Sequence, residues 1–336
     1  MNGKPQLNNT FTSVEDLRQV IPNYPAVLDK RIKDKMDDHC REFISHSRVA
    51  VLAIPNNAVQ PFHFIDTQNQ NLFVLDSDVR ISMGLNMTGP SQQASLYFLI
   101  PGVNHGLRIN GMILQIQPGI ASFHIEQVYF HCGRAAMRGE LWNPQTVKAI
   151  DSSNAKLMLA NEFLEKASYF QLATVNKEGK TQLSPRGDIP GSVQLIPDGR
   201  SIFLPERPGN KVAVSLRNII ENPTIALCCF IPGLAQVLTI SGTAIVCDDP
   251  DMLSNCIIEK HKPKVGTLIS IDQMNVTHMK SLQDINVWNP EYRVEESEIT
   301  AFSKVLNEHM MGKGIKGKVS HIAIKTIIEK DKRNLY

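Results

Sequence analysis

Short apolar runs bounded by turn residues dominate the chain. Arg48–Ile54 is one such run, stopped by Pro55-Asn56-Asn57, and Asn71–Leu75 is another. Ala94–Ile100 and Gly106–Ile116 flank Pro101-Gly102 and read as a hairpin, and Ala121–Phe130 follows as a further strand. Runs of this length between Gly, Pro and Asn predict a β-barrel or a β-sandwich. Helical period shows at the edges. Val27, Leu28, Ile32, Met36, Phe43 and Ile44 recur near that period between charged positions, which predicts one surface helix over 27–45. Thr12-Ser13-Val14-Glu15 has capping-box spacing, so Thr12 or Ser13 caps a helix through Val20, which Pro22 and Pro25 end. Residues 1–11 are polar and are expected to be loose.

The second half of the chain repeats the first. Phe43 through Ala53 aligns without a gap on Phe163 through Ala173, and Leu72–Val74 on Ile202–Leu204. Phe98 through Gly111 aligns on Cys229 through Gly242, and Gln127 through Pro144 on Gln273 through Pro290. Trp142-Asn143-Pro144 thereby falls on Trp288-Asn289-Pro290. Two tandem copies, 12–150 and 151–290, and a tail, 291–336, are expected. The tail reads as a helix over 295–310, a mobile Gly/Lys-rich turn over 312–318, and a strand, Val319–Ile328.

Composition narrows the function. The 336 residues suit about two domains. Hydrophobic content of 42% and charged content of 20% describe a soluble globular chain. A net charge of +2 argues against a nucleic-acid partner but leaves room for a local basic pocket. None of the six cysteines forms a CxxC pair, so no zinc site is expected, and adjacent Cys228 and Cys229 read as core. His39-Cys40 reads as helix packing. No signal-peptide core and no run of about 18 apolar residues appears, so a cytoplasmic protein without a membrane partner is expected. No GxGxxG, GxxxxGK[ST] or GxSxG motif occurs.

The chemistry concentrates between Ser184 and Gly242. Ser184-Pro185-Arg186-Gly187-Asp188 puts a cation and an anion on a turn after an apolar run. Arg207-Pro208-Gly209-Asn210-Lys211 is a second cationic turn, with Gly209 free to take a positive φ. Ser215-Leu216-Arg217-Asn218 follows on a short helix. Cations and backbone N–H groups converging on turns suit a phosphate. The stretch resembles the flavin-binding split-barrel proteins related to pyridoxamine 5′-phosphate oxidase, and within them a subgroup of FMN-dependent proteins carrying SPRGD, then RPGN, then a strand–PG–strand hairpin. The resemblance implies a mainly β (α+β) fold of two tandem split β-barrels with flanking helices, forming a pseudo-dimer within one chain.

The copies differ in what they keep. Copy 1 has Pro61–Asp66 and Asp76–Arg80 in place of the two cationic turns, so acids stand near the phosphate position. It keeps Tyr129–Arg134 and Arg138, which resemble the subgroup's C-terminal signature, where copy 2 has Asn275–Lys280 and Asp284. In the family the barrels pair and flavin lies between them. The expectation is therefore one composite FMN site, with its phosphate cradle from copy 2 and its opposite wall from copy 1.

The resemblance assigns cofactor contacts to Ser184, Arg186, Asp188, Arg207, Gly209, Asn210, Lys211, Arg217, His131, Arg134 and Trp142. The plain alternatives are an Arg186–Asp188 ion pair, solvated Arg207 and Lys211, an exposed Arg217, and a structural Trp142 matched by Trp288. Catalysis by His131 and Cys132 is disfavoured, because neighbours on a strand point to opposite faces. Arg207→Ala is expected to release flavin with the fold nearly unchanged. The resemblance implies an oxidoreductase acting on a small molecule, with NAD(P)H or oxygen as electron partner, as a monomeric pseudo-dimer or a homodimer. The alternatives are a non-catalytic flavin, deazaflavin or haem protein, or a scaffold.

Overall fold

A computed structural model describes residues 10–54, 61–68, 72–74, 78–82, 91–117, 119–143, 156–258, 260–312 and 315–336. Helix α1 (Val14–Val20) starts where Ser13 accepts a hydrogen bond from the Asp16 N–H, so Ser13 rather than Thr12 is the cap. The single helix expected over 27–45 is instead two pieces. A 3-10 turn (Ala26–Arg31) and helix α2 (Asp38–His46) flank an extended link. Lys33 exchanges both backbone hydrogen bonds with Val128, which holds the link straight, and the Asp37 carboxylate caps the Cys40 N–H to begin α2 anew.

The first sheet contains β1 (Val49–Ala53), β2 (Phe62–Asp66), β3 (Leu72–Val74), β4 (Asp78–Ser82), β5 (Gln92–Leu99), β6 (Gly106–Gln117) and β7 (Ile120–His131). Helix α3 (Arg134–Arg138) follows it. After helix α4 (Ala160–Lys166) come β8 (Tyr169–Val175), β9 (Thr181–Gly187), β10 (Gln194–Leu195) and β11 (Ser201–Pro205). Helix α5 (Val214–Glu221) precedes β12 (Thr224–Phe230) and β13 (Gln236–Cys247). Helix α6 (Pro250–Ser254), β14 (Gly266–His278) and helix α7 (Lys280–Ile285) complete the second unit.

The two antiparallel sheets have the same strand order, β2-β1-β5-β6-β7-β4-β3 and β9-β8-β12-β13-β14-β11-β10. Each has a bulge at the same point of its long hairpin, at Asn110/Gly111 and at Ser241/Gly242. A Cβ at Gly111 would meet the His124 carbonyl oxygen at 1.9 Å, and one at Gly242 the Ser270 oxygen at 2.0 Å, so both bulges need glycine. The order makes β4 the counterpart of β11, and β3 that of β10. This corrects the alignment of Leu72–Val74 on Ile202–Leu204, which placed a three-residue apolar match one strand too early. Pro144, Asn71, Leu75, Asp76 and Ser77 lie outside the described residues.

Each split barrel encloses its own core, and a third cluster joins them. Ala50 and Leu52 face the first interior, while Val49, Val51 and Ala53 on the same strand face the second barrel. Phe64 and Phe230 meet edge to face across this joint at 5.8 Å. Burial of both faces explains why β1, β8 and β12 read as nearly unbroken apolar runs instead of alternating ones. Gly187 on β9 lies against α3 of the other barrel, where a Cβ would come within 1.8 Å of the Ala135 carbonyl oxygen. Gly187→Ala is expected to cost about 3 kcal/mol, read from the urea midpoint. Gly209→Ala, with nothing nearer than 4.0 Å, is expected to leave that midpoint in place.

The tail differs from expectation. Its first helix, α8, spans only Phe302–Met311, and Val319–Ile328 lies inside a helix, α9 (Ile315–Arg333). The run satisfies both periods, and its lysine-rich flanks and length favour helix. Ile322 is exposed, Ile328 faces α8, and no described strand pairs with the segment. Ile299 and Val305 join the first barrel's core, so the tail belongs to that barrel. Cys40 is buried there, and His39 pairs with Glu308 at 2.9 Å. No helix among the described residues is long and apolar enough to cross a membrane.

Candidate functional site

A cleft lies where the two barrels meet. The end of β7, α3 and Arg108 of β6 line one side; β9, the 205–213 loop and the start of α5 line the other. Its inner part holds about 120 Å³, and it opens to solvent. Six arginines line it (Arg31, Arg108, Arg134, Arg138, Arg186 and Arg207) against two carboxylates, Asp188 and Glu206.

The cations differ in what already holds them. Arg207 is buried: its Nε donates to Asp188 Oδ2 at 2.5 Å and its Nη1 to the Cys256 carbonyl at 2.8 Å. Asp188 also accepts from the Tyr336 hydroxyl at 2.9 Å. Arg186 pairs with Glu206 at 2.9 Å and donates to Ser215 Oγ. The expected Arg186–Asp188 pair is therefore replaced by two others, because the buried Arg207 holds Asp188 while the more exposed Arg186 reaches Glu206. Arg134 and Arg138 both donate to the Pro208 carbonyl, which ties the second barrel's loop to α3. Arg138 also donates to the Leu335 carbonyl, so the end of the tail borders the cleft.

Arg108 is the residue that sequence reasoning missed. It is fully buried on β6, where its Nη1 donates to the Leu183 carbonyl and, at 3.3 Å, to Ser184 Oγ. Its Nε and Nη2 are buried without a hydrogen-bond partner, as are Arg207 Nη2 and His131 Nε2. The Tyr129 ring lies 4.4 Å from the Arg108 guanidinium and 5.3 Å from that of Arg31. Burial, and then the Arg31 charge, pull the Arg108 pKa down to about 9. His131 is held well below its usual pKa by burial and by Arg108, Arg31 and Arg186, so its ring is neutral near pH 7. An arginine inside an apolar strand was the available signal. Thr239 occupies the matching position of the second copy.

Of the sequence-assigned residues, the cleft gathers Ser184, Arg186, Asp188, Arg207, Gly209, Asn210, His131 and Arg134. Three lie elsewhere. Lys211 turns outward onto a neighbouring groove, because Lys211 and Ala213, not Gly209, take the left-handed conformation in that loop, at φ 64° and 53°. Arg217 lines a separate cavity on the far side of α5, since residues 215 and 217 point to different faces of one helix. Trp142 packs at 5.5 Å on Trp288, and its Nε1 donates to the Val103 carbonyl at 2.9 Å. Trp288 donates to the matching Leu234 carbonyl at the same distance, so the two tryptophans hold the joint by local twofold symmetry. At the opposite end of the joint, Ile65 stands where Arg186 does, and Lys280 pairs with Asp284.

Residues 159–282, most of the second barrel, match the family model of pyridoxamine 5′-phosphate oxidase. A comparison with curated proteins finds no match. Among solved structures, HupZ of Group A Streptococcus is 16% identical, covering 36% of this chain and 95% of its own, with a TM-score of 0.30. A protein of Clostridium acetobutylicum related to general stress protein 26 is 14% identical, covering 35% of this chain and 85% of its own, with a TM-score of 0.27. An F420 reductase is 19% identical, covering 34% and 93%, with a TM-score of 0.26.

Proposed function

We propose that the chain is a flavoprotein that binds one FMN in the cleft between its barrels and serves as an oxidoreductase for a small molecule. One observation carries this reading: buried guanidinium nitrogens of Arg108 and Arg207, without partners, line a single cleft. Arg108 is a buried cation with no carboxylate on it, which is costly, and a phosphate monoester is the anion that arginines and loop N–H groups suit. The residues present therefore fit the group. Arg108, Arg186, Ser184, Ser215 and the loop at Gly209-Asn210 would hold it. FMN would supply the two-electron chemistry, and the protein its position and electrostatics. The family match over 159–282 supports a flavin nucleotide as the occupant. Neutral His131 would offer a hydrogen bond there rather than a charge. The single site follows from the loss of cations at the joint's other end, so the chain would act as a pseudo-dimer, and a cytoplasmic setting with NAD(P)H or oxygen as electron partner fits that role.

The test is the absorbance spectrum of the purified protein, with the cofactor released by heat and quantified. Flavin bands at about one FMN per chain are expected. Two per chain would defeat the single composite site. A Soret band, or no uptake of added FMN, would defeat the flavin reading itself.

A further inference from the structure

A second cavity lies beside the first, beneath the tail helices. It holds about 190 Å³ and shares Cys132 and Arg134 with the cleft between the barrels. Its floor is the turn before β6, at Asn104 and His105; Met137 of α3 forms a wall; Phe302 of α8 and Ile328 of α9 form the roof. Of the charged groups around it, Lys332 bonds Glu296 at 2.8 Å, Lys325 faces Glu329 at 3.9 Å, and Arg134 donates to the Pro208 carbonyl at 3.2 Å.

His105 is the unusual member. It is 6% exposed, and its Nε2 is buried with no hydrogen-bond partner. Its ring lies among Phe43, Phe130 and Phe302, at 5.3, 6.2 and 5.2 Å. Such a nitrogen gains from any ligand that supplies its missing bond. Burial lowers its pKa to about 4, with Lys332 pulling further down and Glu296 up, so the ring is uncharged near neutrality. An uncharged imidazole can accept from a hydroxyl or donate to a carbonyl with no counter-charge needed. The aromatic surroundings and the sulfur atoms of Cys132 and Met137 favour a flat ring. The size agrees, since a dry cavity of about 150 Å³ accepts benzene.

We propose that this cavity binds a single-ring aromatic molecule through a hydrogen bond to His105, and that, resting on the flavin reading above, it is the substrate pocket of the cleft. Ring and cleft would then meet at the shared Cys132–Arg134 wall.

Phenol and toluene serve as probes, titrated calorimetrically into the full chain with and without FMN. Phenol is expected to bind one to one and about tenfold tighter than toluene. His105→Phe keeps a ring but removes the nitrogen, and is expected to equalise the two. Ile328→Trp fills the cavity from its roof and is expected to abolish both, with circular dichroism unchanged. Equal affinities in the unaltered protein, no binding, or indifference to Ile328→Trp would overturn the pocket. In FMN-loaded protein, phenol is expected to shift the flavin absorbance; an unshifted spectrum at saturating phenol would overturn the substrate role. Binding to a chain that takes up no FMN would keep the pocket and remove that role, which separates this failure from that of the flavin reading.

Discussion

Arg108→Met is expected to make the flavin-free protein more stable and the FMN complex weaker. Arg108 carries its charge in a fully buried position on β6, with two nitrogens lacking partners. Burial, and then the Arg31 charge, hold its pKa down at about 9, so the site disfavours the charged form. Methionine has similar volume and no charge to desolvate. Replacing buried ions by apolar groups of like volume is neutral or stabilising by about 1–4 kcal/mol. The lost hydrogen bond to the Leu183 carbonyl offsets about 1 kcal/mol of that. A net gain of about 2 kcal/mol is expected in urea unfolding of the flavin-free chain. FMN then loses a charge-assisted bond worth about 1.5–3 kcal/mol, which is roughly a 10- to 150-fold weaker complex. Fluorescence quenching on titration with FMN reads that directly. An unchanged FMN affinity would remove Arg108 from the site. A large loss of stability would make it a structural strut between the barrels.

The sequence made the repeat legible because glycine and tryptophan positions carry geometric demands that survive drift. Gly102 and Gly233 take φ 90° and 96° in matching turns, and Trp142 and Trp288 make the same bond to matching carbonyls. The barrel strands were legible because they are buried on both faces. The tail was not, since Val319–Ile328 fits two periods and only the length and lysine-rich flanks of the run favour the helix. The candidate site was legible where it lies on one continuous stretch, Ser184 to Asn210, and illegible where it depends on the joint. Arg108, Arg31 and Tyr336 reach the cleft or its rim from elements far from that stretch. Lys211 and Arg217 sit on the right elements but turn away. Sequence spacing gave their neighbourhood without the backbone conformation that aims them.

Arg207→Ala separates a cofactor ligand from a structural ion, and the structure reverses what the motif alone suggests. Read as part of a solvated phosphate turn, the substitution leaves the fold nearly unchanged. In the structure the Arg207 and Asp188 side chains are 5% and 6% exposed and 2.5 Å apart, so the pair has no water to fall back on. Removing the guanidinium leaves Asp188 with the Ile189 N–H at 2.9 Å and the Tyr336 hydroxyl at 2.9 Å, and no cation on it. It also frees the Cys256 carbonyl. Breaking one side of a buried pair costs about 3–5 kcal/mol, so Arg207→Ala is expected to unfold at a much lower urea concentration whether or not FMN is present. The double change Arg207→Ala/Asp188→Ala is expected to recover part of that loss, because the two side chains act as a unit. Arg186→Ala is the contrasting probe. Its pair with Glu206 is 19% exposed on each side, so its removal is expected to cost about 1 kcal/mol of stability while weakening FMN binding. If Arg207→Ala unfolds no more readily than Arg186→Ala, the Asp188 pair is dispensable and Arg207 returns to the role of a free phosphate ligand. If the double change is as unstable as the single one, the Cys256 carbonyl contact, rather than the ion pair, holds the loop in place.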